Sequence, residues 1–520
     1  MNNSELNFDD KNLNIIKSTF YILIFICVII QILINNNKEY YFIFLQLISN
    51  LIVINYCLNK KVLFNYPIST FVIFLTNIFL NGGALFFKTL FLESVSKKLK
   101  LPNETLELLL LCNIYLIITH VIYRRSKFLN DIKNFFSKIL IRFNVDIVKL
   151  NFSKNFGYIC IILVFIANII IPTQKSEEFL KGNLSLYQDI VNGINVFSFG
   201  IFLIIACSKI YKLEKIKINY LGIIFFSSVI IITAVLLTGR SLIFDNLFSI
   251  FLIFIFSLLL GYIKINNKFL IKFVLFSTLI FVSLGYVEIF SQNLIKTREN
   301  NENLGWKYKL NYFVKSYTAD NSKFFIDYYN HDLFPDNYYS NTFLNRINLI
   351  YVSDSILFAS QYLSRQKIED LKNYEISQII SVIPKPLIAL VDKNFDKKFY
   401  TTKTITSALF MSVDSTFTGP KNVGSMFALM KIYYGYLFFL YFLPFVFLGY
   451  ILLDFFLINN KSFSPILFLI FYLTGGGLTT LFTVSSFSVY ILILIRLIPQ
   501  TIILYIISYK IYSVFVKTKY

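Results

Sequence analysis

Charge is scarce in this sequence. Asp, Glu, Lys and Arg make up only 15% of its 520 residues and apolar residues 56%, with a mean hydropathy of +0.64. That balance excludes an ordinary soluble domain. Histidine is scarcer still: His120 and His331 are the only two, which argues against a His-based metal site. The five cysteines (Cys27, Cys57, Cys112, Cys160, Cys207) all lie in hydrophobic runs, so neither a disulfide framework nor a Cys metal site is implied, and packing roles are expected. No Gly-rich nucleotide-binding signature occurs. The short alternating strands of a membrane β-barrel are missing too. Basic residues outnumber acidic ones, 49 to 29, but they punctuate the hydrophobic runs and carry no recognition motif. They read as membrane topology signals, and no nucleic-acid partner is expected.

What is present is a series of apolar runs of the roughly 20 residues that a membrane-crossing helix needs. They fall near 19–34, 40–58, 62–80, 104–123, 156–172, 189–207, 219–238, 242–263, 269–290, 428–456, 463–482 and 487–509. The expected fold is an all-α polytopic integral membrane protein of about twelve spans. Residues 1–290 would form a membrane domain of nine spans, 291–427 a large helical loop domain, and 428–520 three further spans. With the N-terminus inside, the inner segments hold 23 Lys or Arg and the short outer segments eight, so both termini are placed in the cytoplasm. The first run lacks a small-residue cleavage site and is kept as an anchor. Segment 130–150 mixes bulky apolar residues with Lys and Arg, as a helix in the inner headgroup layer would, or a basic topology anchor.

The loop at 291–427 carries 16 Lys or Arg and 13 Asp or Glu with many Tyr, Phe and Asn, enough to fold against the membrane face but not to bury a large core alone. Its residues 366–383 space Ile368, Leu371, Ile376, Ile379 and Ile380 along one helical face, ended by Pro384 and Pro386. A second helix is expected over about 343–363, with Phe343, Ile347, Ile350, Ile356 and Leu357 on its apolar side. A loop this long between spans is usually functional. On the outer side, where ATP and nucleotide sugars are absent, its substrate would be lipid-linked or already exported.

A charge inside a bilayer costs about 2.5–3.5 kcal/mol, which makes each one a functional candidate. Arg496, within Ile491–Pro499, is the deepest basic residue, either functional or paired with Asp454 or Glu107. Arg240, in Thr238-Gly239-Arg240-Ser241, occupies the outer tip of a two-span hairpin, where a guanidinium beside free helix-start amides suits a pyrophosphate; pairing with Asp245 or headgroups is the alternative. Glu288 and Arg298 lie at and beyond the outer end of the ninth run. Lys431 reads as a headgroup anchor. His331, Asp354 and Asp414 are acid/base candidates by residue type alone.

Several features together resemble the Wzy-type O-antigen polymerases: the twelve-span layout, the Thr238-Gly239-Arg240 tip, the long late loop with Ile383-Pro384-Lys385-Pro386, and the run from Thr418-Gly419-Pro420 through Gly424 to Tyr434-Gly435-Tyr436. Across the whole chain the layout carries more of this resemblance than any single residue. The resemblance implies a glycosyltransferase of the bacterial inner membrane, independent of metal and cofactor. It would polymerise lipid-linked repeat units of a surface polysaccharide at the periplasmic face, moving the growing chain from undecaprenyl pyrophosphate onto a new undecaprenyl-pyrophosphate-linked unit. Implied partners are those two lipid-linked oligosaccharides, membrane lipids and a chain-length regulator protein. Arg240, Arg496, His331 and Asp414 are the candidate catalytic residues. Arg240, Arg298, Arg346, Arg365, Lys385 and Glu288 are the candidate pyrophosphate or sugar contacts. An O-antigen ligase would use the same donor, and a lipid-linked oligosaccharide flippase would have a similar span count without needing so long a loop.

Overall fold

In a computed structural model, the structure describes residues 10–34, 40–142, 350–383, 394–402, 404–414, 425–458, 462–463 and 486–500, with isolated positions at 228–315, 388–392, 481–483 and 502–510. Structural statements below concern these residues. Almost all are helical: α1 (Asp10–Ile34), α2 (Tyr40–Cys57), α3 (Lys60–Asn65), α4 (Pro67–Asn77), α5 (Gly83–Leu90), α6 (Pro102–Arg125) and α7 (Lys127–Arg142) in the first block. The second block holds α8 (Ile350–Ser360), α9 (Arg365–Ser381), α10 (Lys397–Thr402), α11 (Ile405–Val413), α12 (Met426–Tyr434), α13 (Phe438–Asp454) and α14 (Phe487–Ile491). A two-residue antiparallel pair, β1 (Leu457–Ile458) with β2 (Ser462–Phe463), is the only extended pairing among them.

Five helical stretches are long and apolar enough to cross a membrane: Asn12–Ile34, Tyr40–Cys57, Pro67–Leu90, Pro102–Arg125 and Met426–Asp454. The molecule is an α-helical membrane protein, since a bilayer leaves no other open way to satisfy the backbone. The other expected runs between 156 and 290, and 463–482, lie outside the described residues.

The third run departs from expectation. Residues 60–65 form a separate short helix capped by Asn59, whose side chain accepts from the Lys61 amide. Tyr66 leaves helical geometry ahead of Pro67, as the residue before a proline must. Pro67 then starts a new helix at the position where a missing N–H costs nothing. That helix continues through a π-helical segment, Ile78–Gly82, into α5, so the long apolar helix is Pro67–Leu90 rather than 62–80. Its last turn carries Lys88, fully buried and paired to Glu93 at 2.8 Å.

The helices define two faces. α6 alone, at 1.5 Å per residue, separates its start and end by about 35 Å. At its start lie segment 91–101 and α8, which packs on α6 and α12. At its end lie Arg124, α7 and the paired β1 and β2. α7 is amphipathic and docked rather than loose: Lys133 and Ser137 are buried, the Ser137 hydroxyl donates to the Phe455 carbonyl at 2.9 Å, and Phe128 and Phe135 point outward. We call these the loop face and the basic face.

Candidate functional site at the junction of loop and span

α9 follows the expected 366–383 helix closely, started by Ser364, whose hydroxyl accepts from the Lys367 amide. The buried face differs from the expected one. Leu371 and Glu375 go inward at 4% and 3% exposure, whereas Ile376 and Ile380 stay 44% and 39% exposed. The reason is Glu375, whose Oε1 accepts the Ser488 amide at 3.1 Å. A helix start presents unpaired amides and a positive dipole end, so a buried carboxylate is compensated there. Burial nevertheless dominates and pushes the Glu375 carboxyl up to about 7, opposed by the Ser488 and Phe487 amides. One turn on, the Ser488 hydroxyl donates to Gln378 Oε1 at 3.1 Å, and Gln378 Nε2 donates to the Tyr400 carbonyl at 3.1 Å. This joins α9, α10 and α14 into one unit.

Arg496 stands in a second π-helical segment, Leu492–Leu497, which continues α14. Such segments open the helical ladder and redirect side chains. Its side chain is exposed and lies within electrostatic reach of Lys397. Lys397 Nζ donates to the Ile383 carbonyl at 2.7 Å; burial first, and Arg496 second, lower its pKa. Neither anticipated partner pairs with Arg496. Asp454 is bonded to Ser69, and Glu107 accepts from the Tyr41 hydroxyl at 2.7 Å. Among the described residues no carboxylate lies within ion-pair distance of Arg496. Two cations, Arg496 of the last apolar helix and Lys397 of the loop unit, therefore lie within electrostatic reach of each other, and a shared anion would lower their mutual repulsion.

The other expected residues distribute unevenly. Arg365 is exposed at the start of α9, about 24 Å along the helix from the Lys397 end. Asp414 follows α11, its amide donating to the Phe410 carbonyl at 2.8 Å. The nearby Ser412 carbonyl accepts from Lys367 Nζ at 2.6 Å, so Asp414 belongs to the Arg365 end and not to the Arg496 end. Asp354 has a structural task. Its carboxylate accepts from the amides of Lys100 (2.6 Å) and Leu101 (2.8 Å) and from the Thr105 hydroxyl (3.0 Å), capping α6, whose own N-cap Leu101 has no side-chain acceptor. Lys431 sits near Glu104 at 3.7 Å. Arg240, Arg298, Arg346, Lys385, Glu288 and His331 lie outside the described residues.

Two buried polar assemblies had no counterpart in the sequence reading. At the basic face, Ser69 gives both its amide (3.0 Å) and its hydroxyl (2.7 Å) to Asp454. With that hydrogen committed, Ser69 Oγ accepts from His120 Nε2 at 2.7 Å, and His120 Nδ1 accepts from the Tyr56 hydroxyl at 2.6 Å. The partners thus fix the tautomer of a fully buried histidine. Arg124 and Lys133 border the chain over the Tyr66 ring at 5.7 and 5.0 Å. In mid-bundle, Gln46, Ser49, Asn50, Asn77, Asn81 and Asn113 interlock, with Asn113 Nδ2 reaching Ser49 Oγ at 2.7 Å and Asn77 Oδ1 at 2.9 Å. Gly82, at the end of the π-helical turn, makes room for this cluster, because a Cβ there would meet Asn50 Oδ1 at 2.8 Å. A weak signal existed for both: polar residues inside apolar runs.

No family model, curated protein sequence or solved structure matches the chain.

Proposed function

We propose that the protein polymerises lipid-linked oligosaccharide repeat units of a bacterial surface polysaccharide at the outer face of the inner membrane. The observation that carries this reading is the junction at which Glu375 of α9 accepts the Ser488 amide at the start of α14, with Arg496 of that helix and Lys397 of the loop unit within electrostatic reach of each other. A diphosphate anchored by its lipid in the outer leaflet arrives laterally at that level. In the reaction, an acceptor sugar hydroxyl attacks the anomeric carbon of the donor chain. The bond from that carbon to the diphosphate oxygen breaks, and the diphosphate leaves with the electron pair while the hydroxyl proton passes to a base or to solvent. Charge grows on the leaving oxygen, where positioned cations are most effective. Arg496 supplies planar, permanently charged donors and Lys397 a second point charge. Arg240, Arg298, Arg346 and Lys385 are proposed as further phosphate or sugar contacts, and Arg365 and Asp414 as contacts with the more distant sugars of the chain. His331 and Glu288 remain proposed as acid/base and sugar-binding groups.

The test resolves surface polysaccharide by chain length in a deletion strain, a complemented strain, and strains carrying Arg496→Ala, Lys397→Ala or Arg496→Lys at matched membrane abundance. Core bearing a single repeat in the deletion, with the ladder restored by the parent protein and not by either alanine variant, is the expected result. Loss of all attached repeats while long chains persist on the lipid carrier would identify a ligase, and units trapped on the inner face a flippase.

A further inference from the structure

The isoleucines that turn away from the Glu375 side of α9 form a surface of their own. Ile376 and Ile380, one turn apart, are followed by Ile383 at 43% exposure and, further along the chain, by Leu390 at 81%. In water such a run of exposed apolar side chains is an aggregation liability, and it marks an interaction surface. Three observations say what covers it. First, the surface is joined to the last apolar helix: Glu375 of α9 accepts the Ser488 amide at 3.1 Å, Ile383 holds Lys397 through its carbonyl within electrostatic reach of Arg496, and Ile495 beside Arg496 is itself 61% exposed, with Ile503 and Ile507 exposed further along. Second, the level is set. Glu375 is held at Ser488, the start of that helix, while Arg496 lies eight residues further, about 12 Å along it. The C-terminal end of α9 therefore runs beside the upper part of the helix and not above it. Third, the rim has the composition of a membrane interface. Tyr374, Phe395, Phe399 and Tyr400 pack ring against ring at centroid distances of 5.1–6.1 Å, Lys397 belongs to the same short helix as Phe399 and Tyr400, and on the other flank of α9 Lys372 lies over the Tyr434 ring at 5.1 Å. Aromatic rings with polar tips and long basic side chains are what the headgroup layer selects.

We propose that the C-terminal half of α9 is a membrane-dipping element: its Ile376–Ile380–Ile383 edge and Leu390 enter the leaflet at the loop face, in contact with lipid acyl chains. The buried stripe of α9 holds it to the last apolar helix, and the opposite edge faces lipid. The loop is thereby fixed at two levels, by Asp354 above α6 and by this edge within the leaflet. The inference stands on the geometry of the loop unit and does not depend on what reaction the protein performs.

The experiment places an environment-sensitive nitrobenzoxadiazole label on Ile380→Cys, Leu390→Cys and, as a control on the same stripe of α9 but about 16 Å nearer its start and so above the leaflet, Glu369→Cys, whose parent side chain is 55% exposed. The full chain is reconstituted in phosphatidylethanolamine–phosphatidylglycerol vesicles, and parent chain labelled identically supplies the background from native cysteines. Replacement of part of the lipid by a species brominated on the upper acyl chain should quench the labels at 380 and 390 about twofold while leaving 369 little changed, as expected for side chains at the acyl boundary. Aqueous iodide should show the reverse order. Equal iodide access at 380, 390 and 369 would overturn the proposal by showing a solvent-exposed edge. Shielding of 380 and 390 from both quenchers would also overturn it, by showing that protein covers the edge.

Discussion

The two faces of this protein bury carboxylates in opposite ways. At the loop face Asp354 and Glu375 come from a segment far along the chain and end on backbone amides, those of Lys100 and Leu101 at one helix start and that of Ser488 at another. At the basic face Asp454 ends its own long apolar helix and accepts the amide and hydroxyl of a single residue, Ser69, through which it reaches His120 and Tyr56. The first arrangement uses the positive ends of helices to hold a loop onto the membrane domain. The second ties four helices together sideways. Helix-start amides are present in any helical protein, so the loop-face carboxylates need only position. The basic-face chain needs every member in its correct orientation, because a partly satisfied buried network is worse than none.

The largest break should come at the basic face. Asp454→Ala strands the Ser69 amide and hydroxyl and unsettles His120, a loss of about 3–5 kcal/mol for a broken buried network; its measure is the melting midpoint of purified protein in detergent, with Asp454→Asn falling between variant and parent. Asp354→Ala should cost less, about 2–3 kcal/mol for orphaned donors. It also differs in kind: limited proteolysis should open sites around 343–363 that remain protected in Asp454→Ala. Equal loop cleavage in both variants would erase the contrast between the faces.

Glu375 sharpens the comparison through pH. Its folded carboxyl titrates near 7 because it is buried, while the unfolded chain releases the same proton near the ordinary value of about 4.5. Between these values the folded state holds a proton that the unfolded state has lost, so stability falls as pH rises from about 4.5 to 7 and is level above that. Melting midpoints across this window should decline for the parent, and Glu375→Gln should flatten that contribution. The smallest effect belongs to an exposed cap: Ser364→Ala should cost about 1 kcal/mol and fray the start of α9 in hydrogen exchange without altering the Glu375 end.

Much of the fold was legible in advance because a bilayer narrows the choices. Runs at 40–58 and 104–123 became helices near their expected limits, the run at 19–34 lies within a longer helix that begins at Asp10, and the run at 428–456 is helical from Met426 to Asp454 with a 3-10 turn at Gly435–Leu437, since apolar length decides which segments can cross. The run at 62–80 is interrupted at Tyr66-Pro67, a local backbone constraint that breaks the helix regardless of how apolar its neighbours are. On α9 the isoleucine spacing gave the helix and missed its inner face, because inward placement of Glu375 depends on amides that lie 113 residues away in sequence. Arg496 was legible as an expensive charge. Its neighbour Lys397 was not, being one of many loop lysines until α10 brings it to the last apolar helix.

The sequence by itself determined that this is a helical membrane protein, which segments are apolar enough to cross, and that few charges lie within them, because each of these follows from transfer free energies summed over local stretches. Only the tertiary structure decided which polar side chains are partners. Asp354 with the start of α6, Glu375 with Ser488, and Asp454 with Ser69 and His120 are contacts between distant segments, and no local pattern specifies which donor a buried acceptor will meet.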